Sequence, residues 1–413
     1  MNVLIVSLYF PPAGGPGVQR PLQLAAHLRE LGFGVHVLAP DDPKWVYRDP
    51  SLRPPAGVHV HRARNLGPRA RLPAVELYGR RGFDRLRRQA TITLRALLVP
   101  DASVLWTVTA IPAALRIVRR EAVDVVLTTS PPGSVHLVGA AARALSAARW
   151  VADLRDPLVG FAHRRREIRG ERALARLVAR RADAVVAASE GVAESMRRLV
   201  PSLAVRVVEN GCDFDEFDGL AYRRGERFRI THTGTFLGRR SPRPFLEALR
   251  RADGDVVARF VGDLPPRHRE WIDANGLRDR VELVPFVSRR EALALQRDSE
   301  ALLLLVPEAE GRGRSVLTAK VFEYVAAERP ILAAVPPDGD AAALVRELGV
   351  GVVVPPDDVE GIAAALTELE RRWRDGTLDG SPLSPERRAR LSRRARVEEL
   401  AAILREAGSK ARA

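Results

Sequence analysis

The chain alternates predicted strands and predicted helices through two successive halves, and this alternation constrains its fold more than any other feature. Predicted strands of the first half cover 3–9, 35–39, 123–128, 150–153 and 184–188. Those of the second half cover 229–234, 256–262, 281–287, 301–306, 331–335 and 350–354. Strands that alternate with helices form parallel sheets with helices on both faces. The sequence therefore predicts an α/β protein with two doubly wound lobes.

A change of pattern near the middle of the chain marks the boundary between these lobes. The 413 residues fit two domains of about 200 residues each. Segment 208–217 is aperiodic and contains an Asn-Gly pair, which favours a turn. We therefore predict an N-terminal lobe over 1–210 and a C-terminal lobe over 211–382. The remaining residues, 383–413, predict a basic helix and tail that packs back on the N-terminal lobe.

The strong positive charge does not by itself indicate a nucleic-acid partner. The formal net charge is +15, but of the 66 basic residues only Lys44, Lys320 and Lys410 are lysines, which is typical of GC-rich codon usage. No nucleic-acid module, zinc-ligand spacing or basic patch interleaved with aromatic residues accompanies the charge. We therefore expect no nucleic-acid partner.

One basic segment has a different character. Residues 62–95 contain ten arginines, and an apolar stripe overlaps them at helical spacing. The stripe consists of Phe83, Leu86, Ala90, Leu94 and Leu97. A basic amphipathic helix suits an anionic membrane surface. The alternative is a helix whose apolar stripe packs against its own domain.

Several features indicate a cytoplasmic protein. Cys212 is the only cysteine, so no disulfide can form within the chain. The apolar start lacks the basic region and cleavage site of a signal peptide. The longest uncharged apolar run, 102–115, is too short to span a bilayer. We expect a cytoplasmic protein, with peripheral attachment at the inner face of the cytoplasmic membrane as one option.

Segment 311–336 combines a basic glycine loop with a predicted helix. A helix beginning near Ser315 would direct free amide groups, together with Arg312 and Arg314, at an anion. On that helix, Lys320 could bind a phosphate oxygen and Glu323 could accept hydrogen bonds from a vicinal diol. Phosphate and ribose together indicate a nucleotide. The alternative is a surface Lys–Glu pair on an ordinary amphipathic helix.

Parallel sheets bind ligands beyond the carboxyl ends of their strands, so the cleft between the lobes is the predicted site. In the first lobe, Gly14, Gly15 and Gly17 would let a loop approach a ligand closely. In the second, Arg239 and Arg240 follow Gly234 and Thr235 and could neutralise a diphosphate. Surface arginines without a ligand are the alternative there.

The chain resembles glycosyltransferase family 4 of the GT-B fold, in particular bacterial enzymes that build surface polysaccharides and glycoconjugates. GT-B enzymes have two Rossmann-like lobes that face an interlobe cleft. The resemblance covers nearly the whole chain and rests on the order of six motifs. They are YFPPAGGPGVQRP (9–21), TTSPPGSVHLVG (128–139), WVADLRDP (150–157), ENGCD (209–213), THTGTFLGRRSP (231–242) and AKVFEYVAAERPIL (319–332).

The resemblance implies a retaining transfer of sugar from a nucleotide-sugar, with the donor in the C-terminal lobe and the acceptor in the N-terminal lobe. Glu323 matches the second glutamate of the family's E-x7-E motif, which binds the donor ribose. Ser315 stands where the first glutamate is usual, and Glu310 is a possible substitute. Thr235 replaces an arginine, and Arg155 stands where many relatives have a histidine.

These considerations define a set of predicted site residues. Cleavage leaves charge on the diphosphate, which cationic groups and amides would stabilise, and the leaving phosphate could take the acceptor's proton. The predicted catalytic residues are Arg240, Lys320 and Arg155. The predicted donor-binding residues are Gly15, Gly234, Thr235, Arg239, Phe286, Val287, Ser315 and Glu323. The predicted acceptor ligands are Asp153 and Asp156, with a structural salt-bridge network as the alternative.

We expect no cofactor and no catalytic metal, because the D-x-D sequences at 213–215, 253–255 and 338–340 do not follow strands in the expected setting. The expected partners are a nucleotide-sugar and a lipid-linked glycan or other glycoconjugate. A nicotinamide-dependent oxidoreductase is an alternative, supported by the first glycine loop and by Asp41 and Asp42 after the second strand. That loop departs from G-x-G-x-x-G because Arg20 occupies the last glycine position. A GT-B sugar-nucleotide epimerase and a non-catalytic sugar-nucleotide-binding protein are further alternatives.

Overall fold

The computed structural model describes residues 1–41, 48–49, 51–66, 82–95, 97–160, 164–236, 241–308 and 313–409. The chain divides into two compact units. The first unit contains Met1–Asn210 and Arg394–Ala413, and the second contains Gly211–Arg393.

The first unit is built on a seven-stranded sheet in the order β3-β2-β1-β4-β5-β6-β7, and every neighbouring pair is parallel. Its strands are β1 Asn2–Val6, β2 Gly34–Pro40, β3 His59–Ala63, β4 Val125–Ser130, β5 Arg149–Leu154, β6 Ala184–Ala187 and β7 Val205–Val207. Its helices before residue 210 are α1 Pro16–Glu30, α2 Gly82–Arg95, α3 Thr107–Arg120, α4 Val135–Leu145, α5 Arg165–Arg181 and α6 Glu190–Leu199. The central strands are continuous apolar runs because helices cover both faces of the sheet.

The second unit repeats this layout with a six-stranded parallel sheet in the order β10-β9-β8-β11-β12-β13. Its strands are β8 Phe228–Thr233, β9 Val256–Val261, β10 Val281–Val284, β11 Ala301–Leu305, β12 Ile331–Ala334 and β13 Gly351–Val354. Its helices are α7 Arg243–Arg251, α8 Pro266–Ala274, α9 Arg289–Arg297, α10 Ala319–Ala326, α11 Asp340–Leu348, α12 Val359–Arg374 and α13 Pro385–Leu391. The predicted fold of two doubly wound parallel-sheet lobes is confirmed.

The last helical segment differs from the single helix that the sequence predicts. It forms α13 and a second helix, α14 Arg393–Ser409, which are separated at Ser392. The backbone of Cys212 causes the break, because its amide donates to the Leu391 carbonyl at 2.7 Å and its carbonyl accepts from the Arg393 amide at 2.9 Å. These groups cannot then continue a helical ladder through Ser392.

The two halves of this segment belong to different cores. Leu391 is buried in the core of the second unit. The apolar side chains of α14, by contrast, are buried in the first unit together with residues of β1 and β2. Those side chains are Val397, Leu400, Ala401, Ile403, Leu404 and Ala407. The C-terminal helix therefore supplies part of the first unit's core.

Helix α2 presents apolar side chains to solvent. Phe83 is 81% exposed and Leu86 is 69% exposed, while Ala90 is also exposed. The alternative in which this stripe packs against its own domain is therefore wrong for these residues. Leu94 lies among the side chains that are not described. In the described part of the chain, no helix combines the length and apolar character needed to cross a bilayer.

Candidate functional site

The site in the second unit is built on two glycines that follow neighbouring strands. Gly234 follows β8 and Gly262 follows β9, and both have φ of +120°, a conformation that L side chains rarely adopt. A Cβ on Gly262 would lie 3.0 Å from the carbonyl carbon of Gly234. The Thr235 hydroxyl accepts a hydrogen bond from the Asp263 amide at 3.4 Å. The two loops are therefore packed together at the carboxyl ends of their strands.

The ammonium group of Lys320 lies against this glycine turn. A Cβ on Gly234 would lie only 2.6 Å from Lys320 Nζ. The Nζ atom also lies 3.3 Å from Nε2 of His232 in β8. A pocket opens beside the ammonium group, and its lining residues are His232, Thr235, Phe236, Ser241, Leu305, Pro307 and Lys320. A cation at the carboxyl ends of parallel strands suits an anionic ligand.

Glu323 lies one helical turn after Lys320 and is held by two side chains. Its Oε1 accepts from Arg289 Nη1 at 3.0 Å, and its Oε2 accepts from Gln296 Nε2 at 3.3 Å. Arg289 also donates to both carboxylate oxygens of Glu216. Burial lowers the pKa of Arg289, but the carboxylates of Glu323 and Glu216 outweigh burial and raise the pKa above its usual value.

The position of Arg289 follows from the local sequence. Ser288 caps α9, because its hydroxyl accepts from the Glu291 amide at 3.4 Å and its own amide donates to the Glu291 carboxylate at 3.0 Å. This capping box makes Arg289 the first residue of the helix. Sequence reasoning missed Arg289 and Gln296, although the Ser288–Glu291 signature could have located the helix start.

Tyr324 fixes the rotation of α10. Its side chain is fully buried, and its hydroxyl oxygen accepts from the Thr233 amide at 3.0 Å. Burial raises the pKa of Tyr324 to about 12. This bond anchors α10 to the end of β8. It therefore also fixes the positions of Lys320 and Glu323, which lie on the same helix. Val321, Phe322 and Val325 of the same helix are also buried.

The helix start predicted near Ser315 is wrong. Ser315 ends a short 3₁₀ turn, Gly313–Ser315, and α10 begins four residues later at Ala319. Tight packing explains the difference, since a Cβ on Gly313 would lie 2.6 Å from the Pro307 carbonyl oxygen. Arg314 lies in this turn and pairs with exposed Asp338 at 3.0 Å. The free amide groups of the helix start, which the sequence predicted near Ser315, therefore lie near Ala319.

The structure describes only some of the other residues that were predicted to bind the nucleotide-sugar donor. Phe286 is 43% exposed and Val287 is half-buried, and both lie between β10 and the cap of α9. Arg239, Arg240, Glu310 and Arg312 lie outside the described residues.

In the first unit, Asp153 forms a buried ion pair with Arg20. Arg20 donates to its two carboxylate oxygens at 2.6 and 3.0 Å, and the Thr129 hydroxyl donates at 2.7 Å. Burial alone would raise the pKa of Asp153, but Arg20 and Thr129 hold it below its usual range. Asp153 is fully buried. This arrangement argues against the predicted direct contact with an acceptor and favours the salt-bridge alternative.

Arg20 also ties distant segments of the chain together. Its remaining donors reach the Asn210 side chain at 3.2 Å and the carbonyls of Val208 and Glu209 at 3.0 and 3.2 Å. The residue that breaks the dinucleotide fingerprint is thus the centre of a structural network. It joins α1, β5 and the segment that follows β7.

Arg155 anchors loops at the carboxyl ends of the first unit's strands. Its guanidinium donates to the Ser130 and Gly17 carbonyls, each at 2.7 Å, and to the Pro131 carbonyl at 3.2 Å. Burial lowers the pKa of Arg155. These contacts orient the loop that carries Gly17 instead of presenting a free cation, which argues against the predicted catalytic role.

The glycine loop itself is closely packed. Gly15 has φ of +91° and immediately precedes α1. A Cβ on Gly17 would lie 3.1 Å from the ring of Tyr9. Asp156 is half-buried next to Arg155, and its carboxylate raises the pKa of that arginine against the effect of burial. Among the described residues, no group of three His, Cys, Asp or Glu side chains is arranged to hold a metal ion.

Two protein-family models match the chain in succession. Residues 14–211 match the glycosyl transferase 4-like domain, and residues 227–372 match the glycosyl transferases group 1. Together the two matches span most of both units. The chain is a family 4-like glycosyltransferase. The family resemblance that the motifs indicated is thereby confirmed. The prediction that the chain is an enzyme that transfers glycosyl groups is confirmed as well. None of these observations favours the oxidoreductase or the epimerase alternative.

Solved structures show the same fold as this glycosyltransferase. Sucrose-phosphate synthase from Thermosynechococcus elongatus superposes with a TM-score of 0.71 at 16% identity, over 98% of each chain. HepE from Anabaena in complex with UDP gives 0.65 at 16% identity, over 98% of this chain and 100% of that chain. The lipopolysaccharide outer core galactosyltransferase WaaB gives 0.62 at 12% identity, over 97% and 98%. These likenesses show the GT-B fold. No curated protein matches the chain in sequence.

Proposed function

We propose that this glycosyltransferase moves a sugar from a nucleotide-sugar to a hydroxyl acceptor with retention of anomeric configuration. One observation carries the proposal. Lys320 and Glu323 lie three residues apart on α10, and Lys320 is beside the glycine turn that follows β8. A cation for phosphate and a carboxylate for a diol at this spacing suit a nucleoside diphosphate.

The chemistry follows from where charge develops. As the anomeric bond breaks, the bonding electrons move to the diphosphate oxygen, and the Lys320 ammonium stabilises the growing negative charge. The acceptor hydroxyl attacks the same face of the sugar, and its proton passes to the departing phosphate. Arg239 and Arg240 follow the turn in sequence and supply further positive charge. Glu323 accepts hydrogen bonds from the ribose hydroxyls.

The ligands named in related structures support a nucleotide-sugar donor. HepE was solved in complex with UDP and with UDP-glucose. Another structure of the same fold, from E. coli, is bound with UDP-2-fluoro glucose. We therefore propose a nucleotide-sugar as the donor of the present chain and assign no particular base or sugar to it.

We further propose that the acceptor is a lipid-linked glycan or other glycoconjugate, reached from a cytoplasmic membrane surface. Support comes from the exposed side chains of Phe83 and Leu86 on α2, and from exposed Arg85 between them. Apolar side chains can insert between lipids while neighbouring arginines bind anionic headgroups. No membrane-spanning segment is needed for such attachment.

A ligand panel tests the donor proposal directly. Thermal unfolding is measured with UDP, GDP, ADP and NAD, because a ligand that binds only the folded state raises the melting temperature. We expect one nucleoside diphosphate to raise it and NAD to leave it unchanged. Sugar transfer from the matching nucleotide-sugar to an added acceptor then distinguishes an enzyme from a binding protein. A shift with NAD alone would contradict the proposal.

A further inference from the structure

His232 is held rigidly behind the ammonium group of Lys320. It lies in β8 and is only 2% exposed. Its ring stacks on Phe236, with ring centres 4.7 Å apart and planes inclined by 27°, and it also contacts the ring of Phe260. Its Nδ1 lies 2.9 Å from the carbonyl oxygen of Leu303 in the adjacent strand β11. The imidazole therefore has one orientation.

This orientation determines which ring nitrogen carries the proton. A carbonyl oxygen can only accept, so Nδ1 of His232 must donate to Leu303. In a neutral imidazole, Nε2 then has a lone pair. Nε2 lies 3.3 Å from Lys320 Nζ, so the ammonium group donates one hydrogen bond to it. An ammonium group has three N–H donors, and that of Lys320 lies beside the pocket.

Gly234 also lies close to the same ammonium group. A Cβ at this position would lie 2.6 Å from Nζ and 2.7 Å from Cε of Lys320. A free lysine side chain has many rotamers and loses entropy when it is fixed in one of them. The glycine backbone and the imidazole acceptor remove much of that freedom before any ligand binds. Charge that is placed in advance stabilises a transition state more effectively than charge that must first reorganise.

We propose that His232 is a positioning residue, which holds the Lys320 ammonium group where a diphosphate leaving group develops charge. The role requires a neutral imidazole, because a protonated ring has no acceptor and would repel the lysine. The inference rests on the proposed function, because it takes the anion beside Lys320 to be a nucleoside diphosphate.

Two amide variants separate the two ring nitrogens. In His232→Asn, the side-chain amide can replace Nδ1 in its bond to Leu303, but it is too short to reach Lys320. In His232→Gln, the longer side chain can place an acceptor near the position of Nε2. We expect His232→Asn to weaken binding of the nucleoside diphosphate about tenfold, and His232→Gln to recover most of the loss. The affinity for the corresponding nucleoside, which lacks phosphate, should be unchanged in both.

Calorimetry with UDP, GDP or ADP, whichever binds the wild-type protein, and with the matching nucleoside measures these affinities. Lys320→Ala sets the largest expected effect. The double variant His232→Asn/Lys320→Ala should lose no more affinity than Lys320→Ala alone, since His232 acts through the lysine. Equal losses for the diphosphate and the nucleoside would indicate a merely structural role for His232 and overturn the inference.

The outcomes distinguish this inference from the proposed function. If none of the three nucleoside diphosphates binds the wild-type protein, both fail. If one binds, and Lys320→Ala weakens it while His232→Asn does not, only the role of His232 is overturned. A further test needs no binding measurement, because the nitrogen chemical shifts of labelled histidine show which ring nitrogen carries the proton. The signal of His232 is assigned by its absence in His232→Gln. A proton on Nε2 and a bare Nδ1 would overturn the inference.

Discussion

Gly234 and Lys320 occupy adjoining space so closely that a single methyl group on the glycine would lie 2.6 Å from the lysine Nζ. The glycine is therefore required by its neighbour as well as by its backbone conformation. This pairing connects a feature that is common in α/β proteins, a glycine after a strand, to one particular cation.

Gly234→Ala should therefore weaken nucleoside diphosphate binding, because the added Cβ displaces the ammonium group. It should also destabilise the second unit by about 1–3 kcal/mol, since φ is +120° there. Gly219→Ala is the matched control, because Gly219 has φ of +75° but no atom within 4 Å of an added Cβ. Calorimetry and thermal unfolding measure both effects. If the two variants lose affinity equally, the close approach to Lys320 is irrelevant to binding.

Glu323→Ala should weaken nucleoside diphosphate binding by about 1.5–3 kcal/mol, because a charged acceptor for the ribose is lost. Glu270→Ala, on the exposed part of α8, should bind normally. A deoxyribonucleoside diphosphate sharpens the measurement. It should bind the wild-type protein more weakly than the ribonucleotide does, whereas Glu323→Ala should hardly distinguish the two. Unchanged discrimination in the variant would remove Glu323 from the ribose site.

The ion pair between Arg20 and Asp153 should make stability depend on pH in a defined direction. The folded pKa of Asp153 is depressed, so its contribution is present above the unfolded value of about 3.9 and is lost as pH falls through the folded pKa. Asp153→Asn leaves Arg20 buried without its partner and should cost about 3–5 kcal/mol at pH 7. Urea unfolding should show this difference shrinking in strong acid. A constant difference would contradict the assignment.

Glycosyl transfer should survive treatment with EDTA, because Lys320, Arg239 and Arg240 supply the positive charge on the diphosphate in the proposed mechanism. The measurement is the initial rate before and after chelation and dialysis. Complete loss with recovery on adding a divalent ion would show that a metal supplies that charge.

The exposed face of α2 should bind anionic vesicles reversibly. Each arginine near an anionic surface contributes about 1 kcal/mol, and salt weakens the attraction. Co-sedimentation should therefore be stronger with anionic than with neutral vesicles and should fall as salt rises. Replacing Phe83 and Leu86 with serine should reduce it, whereas the matched change Leu145→Ser, at another exposed leucine of the first unit, should not. Equal binding to neutral vesicles would favour a water-soluble acceptor.

The sequence predicted the fold well because apolar runs and turn residues are local signals. β11 is a continuous apolar segment and β8 contains several β-branched residues, and the predicted limits of both strands differ from the observed ones by only one residue. The Lys320–Glu323 spacing is also local, so the sequence placed both side chains on one helix. The contacts around them are different in kind. Arg289 bonds to Glu323 although the two residues are 34 positions apart, and no periodic pattern in the sequence indicates that contact.

The errors have the same physical origin. Arg20 and Asp153 are 133 positions apart, so no local pattern indicates their ion pair, and Asp153 was interpreted as an acceptor ligand. The break at Ser392 depends on the backbone of Cys212, which lies far away in the chain. The late start of α10 depends on the packing of Gly313 against Pro307. In each case a tertiary contact overrides a local preference.

Helix α14 gives this protein an unusual order of assembly. The second unit is one continuous stretch, Gly211–Arg393, whereas the first needs residues from both sides of it. During synthesis, the segment 1–210 emerges first but lacks Leu400 and Leu404, which fill its core. The second unit can close its own core before those residues leave the ribosome. The first unit therefore cannot complete its core until α14 has been made, although most of its residues precede the second unit in the chain.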